Sequence, residues 1–92
     1  MQDDPMRRKR LRLLASQRGM LEVELALRPL VRDQLMQIDA ALLDELELLL
    51  AMEDLDLWEV LCGKRPLPEG VGPGLLAKVR SGWPGRPPEG QA

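Results

Sequence analysis

Leu42, Leu43, Leu46, Leu49 and Leu50 follow Asp39 at three- and four-residue spacing. No other feature constrains the fold of this chain as strongly. Leucines at that period place one continuous apolar stripe on an α-helix, and a strand would scatter them over both faces. Asp39 supplies the side-chain oxygen that caps a helix start. A helix is therefore expected over residues 40–52, with Asp44, Glu45 and Glu47 away from the stripe and Leu48 exposed. A stripe this apolar needs partners, and the rest of the sequence offers only helices to provide them.

Before it, residues 6–17 read as a first helix in which Arg7, Leu11, Leu14 and Arg18 share one stripe and the other arginines face water. A second helix is expected over residues 20–37, with Met20, Val23, Leu27, Leu30, Val31, Leu35 and Ile38 inward. Pro29 lies inside it, lacks an amide proton and clashes one turn back, which predicts a kink or break near Leu25. After the leucine stripe, Glu53, Asp54 and Asp56 offer caps for a short fourth helix through Leu57, Trp58, Val60 and Leu61. Gly63 ends that helix. Residues 64–74 hold three prolines and three glycines and read as a loop. Leu75, Leu76 and Val79 then make a two-turn fifth helix. No sustained period-two alternation is present. The expected fold is all-α, a small bundle of four to five short helices spanning residues 6–80. Residues 1–5 form a disordered lead-in, and residues 81–92 a flexible tail rich in proline and glycine. Trp83 in that tail is either a peg on the bundle or a contact for another molecule.

Composition narrows the chemistry. The 92 residues contain no histidine, tyrosine or phenylalanine, and Cys62 is the one cysteine. That removes the usual general base and the commonest metal ligand together, and it excludes an internal disulfide. No catalytic residue and no metal site is expected, and Cys62 reads as a small buried hydrophobe. Five cations, Arg7, Arg8, Lys9, Arg10 and Arg12, occupy six successive positions, whereas every charged residue from Asp33 to Glu59 is acidic. These opposite patches attract each other inside the bundle or orient a partner. No stretch approaches the roughly 20 apolar residues that cross a bilayer. A soluble, cytoplasmic protein is the expectation.

Between the first two helices stands Arg18-Gly19-Met20-Leu21-Glu22. A helix running through it would lose about 1 kcal/mol at glycine relative to alanine. The Arg18–Glu22 pair, in its poorer order, would return only about 0.2–0.5 kcal/mol. A turn is expected instead, with Gly19 leaving the first helix through a left-handed conformation. Arg18 then either caps the last carbonyls of the first helix or is presented to a partner. Glu22 suits the first turn of the second helix.

This Arg-Gly-x-x-Glu motif resembles that of the succinate dehydrogenase assembly factors, small helical flavinator proteins of bacteria with relatives in mitochondria. The resemblance extends to Pro29, seven residues after Glu22, and to the acidic–apolar run from Glu53 to Leu61. Gly63, Lys64 and Pro66 follow the same pattern, and the likeness spans roughly residues 6–79. Leu30 and Val31 stand where aromatics usually follow the proline, and Arg65 separates Lys64 from Pro66. The resemblance implies a chaperone-like factor, not an enzyme, that binds the flavoprotein subunit of succinate dehydrogenase or fumarate reductase and promotes covalent FAD attachment. Arg18, Gly19 and Glu22 would be the partner-binding residues. FAD would be the cofactor of the client, with none held stably by this chain. Two other readings compete: nucleic-acid or anionic membrane binding through the basic first helix, and a generic helical adaptor or antitoxin-like role.

Overall fold

The computed structural model describes residues 5–82, apart from the side chain of Pro5. Five α-helices follow one another: α1 (Pro5–Ser16), α2 (Leu21–Pro29), α3 (Ala40–Leu50), α4 (Asp54–Leu61) and α5 (Pro73–Ser81). A π-helical segment, Leu30–Gln34, extends α2. Helix α2 is the hub, packing against α1, α4 and α5, while α3 closes the bundle against α1 and α5. The core is built mainly on leucines: Leu11, Leu27, Leu46, Leu49, Leu57, Leu61 and Leu75 are fully buried. Among the described residues there is no strand, as expected for an all-α bundle.

The leucine helix forms as its spacing requires. Asp39 Oδ1 accepts the Leu42 amide at 2.9 Å. Leu43, Leu46, Leu49 and Leu50 are buried, Leu42 is half-buried and Leu48 exposed. The helix ends at Leu50, two residues short of the expectation, because Ala51 and Met52 bond into a closing turn. Gly63 adopts a φ of +83° just past α4, the left-handed geometry that stops a helix at little cost to glycine alone. Cys62 beside it is buried.

Three expectations are corrected. In α1 the buried residues are Arg8, Leu11 and Ala15, while Leu14 is 44% exposed. The stripe is rotated because α1 lies between α3 on one flank and α2 with the π segment on the other. Arg8 joins the core because its alkyl stem covers apolar surface while its guanidinium donates to the Leu35 carbonyl. Helix α2 does not break near Leu25. It runs to Pro29, and the chain then widens into the π turn, which ends at Gln34 rather than residue 37. One extra residue per turn accommodates the amide that proline lacks. Finally, α5 begins at Pro73, not at Leu75. Proline at a first helical position forfeits no bond, and Glu45 Oε1 accepts the Gly72 amide just before it at 3.0 Å. The expectations for residues 1–4, for Trp83 and for the rest of the tail lie outside the described residues.

Candidate functional site

The turn between α1 and α2 is held from below by one carboxylate. Asp54, the first residue of α4, turns Oδ1 to Arg18 Nε at 2.6 Å. Its Oδ2 accepts the amides of Gly19 at 2.7 Å and Met20 at 3.1 Å. The Arg18 side chain, 9% exposed, also donates to the Leu50 carbonyl at 2.6 Å and to the Met52 carbonyl. Those carbonyls belong to the end of α3 and the turn after it, where a helix leaves acceptors without intrahelical partners and a cation is favoured. Arg18 does cap a helix, but that helix is α3 rather than α1. It pairs with Asp54, thirty-six residues away, and not with Glu22.

This geometry changes the reason for glycine at position 19. Its φ is not positive, since among the described residues only Gly63 and Gly70 have that sign. What matters is space. A Cβ on Gly19 would stand 3.2 Å from Asp54 Oδ2, a tight contact that the carboxylate could relieve only by shifting a few tenths of an ångström against the two amides it accepts. Glycine is there for a close approach, not for a left-handed turn.

The hydrogen bond from Arg18, aided by the Gly19 and Met20 amides, holds the Asp54 carboxyl below its ordinary pKa of 3.8. A depressed folded pKa contributes stability that is complete above the ordinary value and lost as pH falls through the folded one. The stability difference between the wild type and Asp54→Asn should therefore shrink as pH is lowered from about 5 to about 2. Urea melts followed by circular dichroism measure it, and a difference constant across that range would contradict the assignment.

What the turn shows to solvent is different. Gly19 and Glu22 are exposed, and so are Leu21 at 62%, Leu25 at 48% and Leu55 at 61%. Glu22 sits in the first turn of α2, and among the described residues no side chain bonds to it. Arg18, Gly19 and Glu22 are thus brought together in unequal roles. Arg18 is committed inward, while Gly19 and Glu22 lie on a surface with three exposed leucines. Asp54 joins the site without having been singled out. Its sequence signal was the acidic run before α4, where it looked like one cap among several.

The basic first helix does not present its cations as one patch. Arg7 Nη2 is 2.6 Å from Asp44 and 2.9 Å from Glu47, Arg10 lies 3.8 Å from Glu47, and Arg8 is buried. Lys9, Arg10 and Arg12 remain exposed. The opposite charges of α1 and α3 therefore meet within the bundle, which weakens a phosphate-binding role for this helix. Among the described residues no cluster of metal-ligating side chains occurs, and no helix is long and apolar enough to cross a membrane.

The chain matches the family model described as flavinator of succinate dehydrogenase over residues 9–82. No curated protein and no solved structure matches it. The matched segment takes in the whole Arg18–Glu22 turn, Asp54 beneath it and all five helices bar the first turn of α1. With most of the chain covered, it belongs to the flavinator of succinate dehydrogenase family, whose description is that of a factor for succinate dehydrogenase flavinylation.

Proposed function

We propose that this protein binds the flavoprotein subunit of succinate dehydrogenase, or of fumarate reductase, and promotes covalent attachment of FAD to a histidine of that subunit. Family membership supports the reading. The observation that carries it here is the division of labour at the turn. Arg18 and Asp54 satisfy the buried polar groups internally, so Gly19 and Glu22 stand on a fixed platform among exposed leucines. Functional groups held this way lose little order on binding. Exposed leucines beside a carboxylate suit a protein surface that offers a cation next to apolar side chains.

In this scheme the chain does none of the covalent chemistry. With no histidine in its sequence, it holds the client in the conformation in which histidine and flavin react. FAD remains the client's cofactor. Arg18 acts by holding the turn, and Gly19 and Glu22 meet the client.

Deleting the gene and reading covalent flavin fluorescence on a denaturing gel tests the reading. Fluorescence at the size of the flavoprotein subunit should fall sharply and return with the wild-type gene. Loss of one charge-assisted contact at an interface costs about 2 kcal/mol or more, so Glu22→Ala should weaken client binding roughly thirtyfold or beyond. Undiminished fluorescence in the deletion strain would sink the proposal.

A further inference from the structure

A second surface lies on the other side of α2. The buried stripe of that helix is Val23, Ala26 and Leu27. At 100° per residue, Glu22 falls on one flank of the stripe, and Glu24 and Arg28 on the opposite flank. On that opposite flank α2, the π segment and α1 enclose a half-open cleft of about 310 Å³, lined by Arg12, Ala15, Ser16, Glu24, Arg28, Val31 and Arg32. Its volume is at the lower end of ligand-sized pockets. Three arginines and one carboxylate line it, Arg12 on α1, Glu24 and Arg28 one turn apart on α2, and Arg32 on the π segment.

Two of those guanidiniums are uncommitted. Among the described residues neither Arg12 nor Arg28 makes a hydrogen bond or ion pair, although Arg7 and Arg8, on the same helix as Arg12, are both engaged. Arg32 bonds only its exposed neighbour Asp33, at 3.0 and 3.3 Å, a contact that exchanges with solvent at little cost. The Ser16 hydroxyl is turned back to the Leu13 carbonyl at 3.1 Å, so it presents an acceptor. Ala15 and Val31, both buried, form an apolar floor.

We propose that this cleft binds a short acidic peptide segment of a partner protein, in which an apolar side chain stands between two carboxylates. The apolar side chain lies on Ala15 and Val31, and the carboxylates reach outward to Arg12 on one wall and to Arg28 and Arg32 on the other. Glu24 decides against a compact phosphate. A multiply charged anion seated deep in the cleft would meet that carboxylate as well as the arginines. An extended peptide keeps its charges at the rim and can offer a backbone amide to Glu24. The site is separate from the Arg18–Glu22 turn and does not depend on the flavoprotein being the client.

Fluorescence anisotropy of the full chain with a labelled peptide of alternating glutamate and leucine tests this directly. Saturable binding that weakens with added salt is expected. Each exposed ion pair is worth up to about 1 kcal/mol, so Arg12→Gln and Arg28→Gln should each weaken binding up to about fivefold and together up to about twenty-fivefold. Both side chains are exposed, so the helical circular dichroism of the double variant should match the wild type. Glu22→Gln should leave peptide binding unchanged. The proposal is overturned by absence of binding, by equal binding to the double variant, by equal binding of a glutamine–leucine peptide, or by displacement with pyrophosphate at matched charge.

Discussion

Arg18→Ala should lower the thermal midpoint by about 10–20 °C, whereas Glu22→Ala should leave it within a few degrees. The first figure follows from what Arg18 holds. Its side chain is 9% exposed and joins the Asp54 carboxylate, the end of α3 and the turn after it. Truncation leaves two carbonyls and a partly covered carboxylate without their cation, at a cost of about 2–3 kcal/mol. In a domain of this size each kcal/mol moves the midpoint by about 4–8 °C. Glu22 has no such internal commitments and should matter only when a partner is present. Circular dichroism melts of the two variants, set beside their rescue of flavin attachment, separate the roles. Equal melting of Arg18→Ala and the wild type would show that the turn stands without its arginine.

Arg8→Glu should leave little folded protein, and Arg8→Met should retain most of it. Arg8 is 6% exposed, a charged residue within an otherwise apolar core, and its guanidinium donates to the Leu35 carbonyl. Methionine preserves much of the apolar stem and forfeits the hydrogen bond, at about 1–3 kcal/mol. Glutamate would turn an acceptor toward that carbonyl and bury an unpaired charge, at about 3–5 kcal/mol. A small domain has only about 5–15 kcal/mol in total, and one of this length lies near the lower end. Far-ultraviolet circular dichroism at 25 °C reads the outcome, with Lys9→Glu on the exposed face as control. If Arg8→Glu folds as well as that control, Arg8 is not a core residue.

The parts of the molecule legible in the sequence are those set by local chemistry. The leucine period and the Asp39 cap are contained within a dozen residues, so α3 could be drawn almost to its ends. The Gly63 stop and the burial of Cys62 follow from similarly short-range causes. What could not be read depends on distant partners. The rotation of α1, which buries Arg8 and exposes Leu14, is set by α3 and by the π segment pressing from two sides. Widening of the helix after Pro29, rather than a break before it, likewise depends on packing that keeps Leu30 and Val31 buried. The candidate site divides in the same way. Arg18, Gly19 and Glu22 could be named from their motif, but Asp54 joins them across thirty-five residues and sets their geometry. Only the fold shows that Gly19 makes room for a carboxylate, and that the arginine of the motif faces inward.

Reconstitution from purified parts tests the central claim most directly. The apo flavoprotein subunit, FAD and this chain are mixed, and the rate at which flavin becomes acid-precipitable with the subunit is measured with and without the chain. The rate should rise with wild-type chain and saturate at one equivalent. Glu22→Ala, folded and monitored alongside, should need a higher concentration for the same rate. A rate unchanged by stoichiometric wild-type chain would contradict the assignment of this protein as a promoter of flavin attachment.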